Sequence, residues 1–296
     1  MGGAMNINFE LYKTFYVVAK HKNITKASHE LLISQPAVSK AIKNLETQLG
    51  CTLFIRNKSG VILTEAGALL LKDIENVVQI LQNSEEKIKN LTSLDHGVLT
   101  IGTSKTIVEK YLSPYIQTFY NRYPNIKIGI ITGSDKDLIQ KARTGLIDII
   151  IANTPYDVPD DFAITKLKKI HTIFVGSPHY KDIVIKEDNI EKLPLILQSE
   201  GSTTRYYFNK IMNNYNFHIT PKMEFTSSTL ALQFIKIGVG IGIATKEYLN
   251  HELEDKTLYE LKSTISLDNR YISVITCCNQ TMSNATIAFI KILEKK

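Results

Sequence analysis

The stretch ISQPAVSKAIKNLE, residues 33–46, decides how the first fifth of this chain folds. Ser34 predicts a helix N-cap, and Gln35 and Pro36 fall in the first turn, where proline's missing N–H costs the helix nothing. Val38, Ala41, Ile42, Leu45 and Leu49 then recur at helical spacing as a buried stripe, which Gly50 ends. The other side shows Pro36, Ala37 and Ser39 beside Lys40 and Lys43. Small residues next to lysines suit a helix that approaches a duplex closely, with the lysines reaching bases or phosphates.

The flanks support that reading. FELYKTFYVVAK, residues 9–20, places Leu11, Phe15 and Val18 on one helical face. Asn23 can cap a short second helix with Ala27 and Leu31 inward, and Ile33 lies in the turn before the third. Two short helices at a sharp turn describe a helix-turn-helix. LFIRNKSGVIL, residues 53–63, reads as two strands around a tip at 57–60, a wing that carries Arg56 and Lys58.

Charge is distributed to match. Between Tyr12 and Thr64 there are eight basic residues and two acidic ones, Glu30 and Glu46. The whole chain of 296 residues has a net charge of +6, so the remainder sums to zero. A basic module joined to a neutral one points to nucleic-acid binding, and together with the helix-turn-helix to double-stranded DNA as the partner. The lysines taken alone would be an ordinary solvated face; the charge, turn and wing together favour DNA. No apolar run approaches the length of a membrane span, and MGGAMNINFE lacks a basic and then apolar leader pattern, so a cytoplasmic protein is expected. Met5 reads as a plausible start. Cys51, Cys277 and Cys278 form no disulfide framework or zinc spacing, so neither metal nor cofactor is expected.

From Thr64, a predicted cap, a helix runs to about Leu91. Leu70, Ile74, Val77, Leu81, Ser84, Ile88 and Leu91 follow a 4-3-4-3-4-3 spacing, an a/d seam suited to pairing with a second copy of the chain. Beyond residue 97 strands and helices alternate in two similar rounds, which suggests two α/β lobes around a cleft. The expected boundaries are 5–64 for the DNA-binding domain, 65–93 for the dimerising helix and 94–296 for the two-lobed part. Lobe I is expected over about 94–160 and 268–296, and lobe II over about 161–267.

The N-terminal stretch is similar to the winged helix-turn-helix of LysR-type transcriptional regulators. Ser34-Gln35-Pro36-Ala37-x-Ser39, Leu45-Glu46, Leu49-Gly50, Leu53-Phe54-x-Arg56 and Thr64-Glu65-Ala66-Gly67 carry the resemblance. Gly97-x-Leu99-x-Ile101-Gly102, Phe119-x-x-x-Tyr123-Pro124 and Gly145-x-x-Asp148 extend it over essentially the whole chain. The resemblance implies a periplasmic-binding-protein-like effector domain and a homodimer or homotetramer. It also implies base or phosphate contacts from Gln35, Pro36, Ser39, Lys40 and Lys43, with Arg56 from the wing and Thr25 and Lys26 on phosphate; Ser34 and Lys58, beside them, are expected at the same DNA-binding surface. Lys40 stands where the family often has arginine, and Ser28 where it often has alanine. Lysine is a point charge without arginine's fork, which alters base preference rather than DNA binding. Ala244-Thr245 replaces the family's usual Leu-Pro.

In such a fold a ligand is expected where strand C-termini meet helix N-termini, whose free N–H groups attract anions. Those places hold Thr103, Ser104, Thr132, Gly133, Asn153, Gly201, Ser202, Thr203 and Ser227, which would suit a small anionic metabolite. Each hydroxyl alone can equally be a helix cap, so the case rests on whether they converge. No Gly-x-Ser-x-Gly, phosphate-binding loop or HExxH occurs, and no catalytic set is expected. Two rival readings are a solute-binding protein without regulatory DNA binding and an enzyme carrying a DNA-binding domain.

Overall fold

The computed structural model describes residues 7–57, 60–89, 97–154, 158–267 and 270–295. It divides at Ser84/Glu85 into two compact units.

In the first unit, side-chain caps set each helix. The Asn8 side chain accepts the Glu10 N–H at 2.9 Å to open α1 (Phe9–His21). That of Asn23 accepts from Lys26 at 3.0 Å to open α2 (Ile24–Leu31). Ser34 accepts from Ala37 at 3.4 Å to open α3 (Gln35–Leu49), and Gly50 closes it at φ +70°. β1 (Phe54–Asn57) and β2 (Gly60–Leu63) pair antiparallel with Asn57 opposite Gly60. Phe15, Val18, Ala27, Val38 and Leu45 are fully buried between the helices. Leu49, expected in that stripe, is exposed, and Leu53 enters the core after the Gly50 turn.

The structure explains Glu46. Its carboxylate accepts the N–H groups of Leu53 at 2.7 Å and Phe54 at 3.2 Å, tying the end of α3 to the start of the wing. Replacing Glu46 with alanine should therefore cost about 2 kcal/mol, since two partly buried donors lose a charged acceptor. Glutamine should recover part of that stability in denaturant unfolding.

α4 (Glu65–Lys89) starts where Thr64 Oγ1 accepts the Gly67 N–H at 3.0 Å. Its seam corrects the sequence expectation. Ile74 is buried, and Leu70 packs against the same core as Phe15 and Leu45, so these two are used within the chain. Val77 is half-buried, whereas Leu81 and Ile88 are exposed. Leu91 lies outside the described residues. Heptad spacing does not distinguish an apolar side chain held by its own domain from one left for a partner.

The second unit begins with β3 (Gly97–Thr103), then α5 (Lys105–Ile107), a π-helical turn and α6 (Ser113–Arg122). β4 (Ile126–Thr132), α7 (Asp135–Arg143), β5 (Ile149–Thr154) and β6 (Phe162–Ile170) follow. The second lobe contains β7 (Thr172–Gly176), β8 (Val184–Ile185), β9 (Ile196–Gln198), α8 (Thr203–Asn214) and β10 (Met223–Phe225). It continues through α9 (Ser228–Lys236), β11 (Gly242–Thr245), α10 (Asn250–Glu254), β12 (Tyr259–Glu260) and β13 (Lys262–Ser263). β14 (Arg270–Cys277) and α11 (Asn284–Glu294) return to the first lobe.

The five-stranded sheet runs β4-β3-β5-β14-β6, with the first three strands parallel and the last two antiparallel to their neighbours. β6 therefore belongs to the first lobe, and the expected change of lobe near residue 161 moves to Ile170/His171. The reason is long-range: β6 pairs along its length with β14, which arrives about a hundred residues later. Phe119 and Phe289 pack edge-on, 5.3 Å apart, on one face of the sheet, and Leu138 and Ile275 lie on the other. In the second lobe β7 lies between β11 and β12, and β9 pairs parallel with β10. Asp148 accounts for its place in the sequence pattern, because its carboxylate accepts the Thr100 N–H at 2.8 Å. Among the described residues, no helix is long and apolar enough to cross a membrane.

Candidate functional site

The first unit presents one exposed basic face. Ser34, Gln35, Pro36, Ala37, Lys40 and Lys43 of α3 and its cap are exposed, and Ser39 is half-buried among them. Thr25 and Lys26 are exposed on the first turn of α2. Arg56 stands in β1 opposite Val61, and Lys58 lies outside the described residues. The segment's two acids are directed elsewhere. Glu30 bonds to His21 and pairs with Lys20 on α1, and the His21 contact holds its carboxyl below the usual range. Glu46 is spent on the wing N–H groups. Both arrangements leave the reading face cationic, as a phosphate-facing surface requires.

In the second unit, all nine residues expected at the ligand site line one cleft of about 1040 Å³ between the lobes. Their hydrogen bonds divide them. Ser104, Ser202 and Ser227 accept the N–H groups of Ile107 (3.3 Å), Arg205 (3.2 Å) and Leu230 (3.4 Å) as caps. Accepting these bonds leaves each hydroxyl's own proton free to donate. Thr103 differs from the expectation of a ligand-facing hydroxyl: it is 1% exposed and donates to the Ile151 carbonyl at 2.7 Å, tying β3 to β5. Thr132 and Gly133 are exposed at the cleft. Asn153 is buried and accepts from the Tyr248 hydroxyl at 3.3 Å, whose pKa burial pushes up to about 12.

Among the described residues, three pairs of side chains are hydrogen-bonded between the lobes across this cleft. Besides Tyr248 to Asn153, Thr203 donates to the Asp135 carboxylate at 3.0 Å, and the hydroxyls of Thr106 and Ser228 lie 2.6 Å apart. Sequence patterns do not single out Asp135, Thr106, Ser228 or Tyr248. Thr106 and Ser228 each lie within two residues of a recognisable cap, which is the signal that could have found them. Among the described residues no three His, Cys, Asp or Glu side chains are grouped to hold a metal.

A winged helix-turn-helix with a clean basic face, in one chain with a two-lobed α/β unit around a polar cleft, defines a ligand-responsive DNA-binding regulator. Residues 9–68 match the model for bacterial regulatory helix-turn-helix proteins of the lysR family, and residues 92–296 match the LysR substrate binding domain. The chain belongs to the LysR family of transcriptional regulators. It is 24% identical to the RuBisCO operon transcriptional regulator of Allochromatium vinosum, over 96% of this chain and 95% of that protein. It is 27% identical to the transcriptional activator CmpR of Synechocystis, over 80% and 79% of the two chains. Among solved structures, the LysR-family regulator CbnR shares the fold with a TM-score of 0.67 at 16% identity, covering 98% of this chain and 99% of that one. Corynebacterium glutamicum OxyR does so at 0.59 and 22%, covering 97% and 92%.

Proposed function

We propose that this regulator reads DNA through the α3 face and responds to a small anionic metabolite held between the lobes. Gln35, Pro36, Ser39 and Lys40 meet base edges, Lys43 and Ser34 lie at the backbone, Thr25 and Lys26 touch phosphate, and Arg56 and Lys58 act from the wing. The single observation that carries the effector reading is the convergence of polar residues from five strand ends, those of β3, β4, β5, β9 and β10, on one cleft. Two copies pair through the distal part of α4, from Val77 through Leu81 and Ile88 to Leu91, and place two α3 helices on half-sites related by a two-fold. Pairing of the lobes then gives a tetramer. The protein acts in the cytoplasm, with residues 5–64, 65–93 and 94–296 as DNA-binding, dimerising and effector-binding parts.

The test is footprinting on the chain's own upstream region at several salt concentrations. A protected two-fold site with a steep salt slope is expected, and no protection even at low salt would favour a solute-binding protein. Lys43→Ala should weaken binding alike on every sequence and lower the salt slope by about one for each phosphate that is no longer neutralised. An unchanged slope would show that α3 is oriented differently.

A further inference from the structure

Two of the helices that border the cleft meet across it by their first residues. Asp135 opens α7 in the first lobe, and Thr203 opens α8 in the second. The Thr203 hydroxyl donates to the Asp135 carboxylate, 3.0 and 3.1 Å from its two oxygens. Both residues are half-buried, and both line the cleft. The other two contacts between the lobes, Thr106 with Ser228 and Tyr248 with Asn153, join neutral groups. The Asp135 contact differs in bringing a formal negative charge to a residue expected to hold an anionic effector.

Capping does not account for that charge. Ser134 and Ser202 cap the two helices, accepting the N–H groups of Asp137 at 3.3 Å and Arg205 at 3.2 Å. Arg205, in the same first turn of α8, is held by the Gln198 carbonyl, Asn209 and Glu224. A carboxylate suits the place for the reason an effector's oxyanion would. The starts of α7 and α8 carry positive partial charge, and the Thr203 hydroxyl adds a proton donor between them. That hydroxyl has one proton, which serves one oxyanion at a time. A second anion brought to it also meets the repulsion of the first.

We propose that Asp135 is a tethered competitor of the effector: it holds the Thr203 hydroxyl, and an effector oxyanion binds there by displacing it. This rests on the cleft reading above and adds the residue that sets how much anion is needed. Because α7 and α8 belong to different lobes, the exchange replaces a bond between the lobes with a bond to the ligand. Occupancy of the cleft thereby releases one of the ties that fix the arrangement of the lobes.

The test is the saturable rise in melting temperature of the full chain with malonate and with inorganic phosphate, each replacing chloride at constant ionic strength. Asp135→Asn keeps an acceptor for Thr203 but gives up the charge, and should lower half-saturation at least about tenfold. Thr203→Val removes the contested hydroxyl and should raise half-saturation about tenfold. In the Thr203→Val background, Asp135→Asn should gain about threefold or less, because the hydroxyl they compete for is gone. An equal gain in both backgrounds would show general repulsion rather than exchange at Thr203, and would overturn the proposal. So would an unchanged half-saturation in Asp135→Asn. The buried Arg270 lies in electrostatic reach of Asp135, so the asparagine variant could lose a countercharge and fail to fold. Thr203→Val then decides, since an unchanged half-saturation there would also overturn the exchange. Ser227→Trp, which fills the cleft from α9, separates the two readings. A rise lost in Ser227→Trp but unaltered by Asp135→Asn would leave the cleft reading standing and remove Asp135. A rise unaltered by all three substitutions would come from outside the cleft and remove both. No saturable rise in either wild type or Asp135→Asn would do the same.

Discussion

Ala37→Glu should stabilise the DNA-binding unit while lowering DNA affinity on the order of a thousandfold. Ala37 is the third residue of α3, and its N–H already bonds to the Ser34 hydroxyl. A glutamate there completes the reciprocal capping box, reaching back to the N–H of Ser34, and faces the positive end of the helix. Those two effects are worth about 0.5–1 kcal/mol in favour of folding. The same carboxylate would stand on the exposed face between Pro36 and Lys40, where the α3 reading places DNA. Like charge brought against phosphate costs several kcal/mol, and a dimer would incur it twice. A higher melting temperature with lost footprinting is the expected pair of results. Retained binding would show that the first turn of α3 does not face the duplex. On the α3 reading, the native alanine is a place where close approach to DNA is favoured over local helix stability.

Gly240→Ala should remove more than about 4 kcal/mol from the second unit and leave the first unit unaffected. A Cβ at Gly240 would lie 2.1 Å from the Pro194 carbonyl oxygen and 3.1 Å from the Ile196 side chain. That oxygen is the acceptor for the Ile241 N–H at 3.0 Å, and the Ile241 carbonyl in turn accepts from Ile196 at 2.7 Å. The clash is backbone against backbone in a place where Ile241, Leu195 and Ile196 are essentially buried, so no flexible side chain can yield. β9, displaced, also carries the Gln198 carbonyl that holds Arg205, and leads into the Gly201–Thr203 side of the cleft. Gly201→Ala is the control: its φ is +86°, but nothing lies within 4 Å of the added carbon, so only about 1 kcal/mol of backbone strain is expected. Urea unfolding followed by circular dichroism checks both. Two variants of equal stability would mean that the Gly240 crossing relaxes.

These two sites differ in how far the sequence could reveal them. The Ala37 argument needs only Ser34, the proline after it and the helical spacing that follows, all within two turns. The same short range made the caps at Asn23, Ser34, Ser202 and Ser227 readable, along with the wing and the alternation of strands and helices. Local spacing gives no reason for glycine at 240, since the oxygen it must avoid belongs to Pro194, far back in the chain. Arg270 shares a strand face with Ile272 and Val274, and all three are buried. Only the fold shows that, among the described residues, its guanidinium has no hydrogen-bond partner there.

The sequence by itself determined the helix-turn-helix, its wing, the location of the excess charge and the set of polar residues at the strand ends. Each of these depends on neighbours within a helical turn or a hairpin, where spacing and side-chain type suffice. Tertiary structure decided which lobe owns β6, that Leu70 and Ile74 pack within their own chain, and that Thr103 spends its hydroxyl on a neighbouring strand. It also decided that Glu46 braces the wing and that Arg270 is buried at the start of β14. Those outcomes depend on which groups distant segments bring opposite one another, because a hydroxyl, a carboxylate or a guanidinium takes its role from the partner it meets.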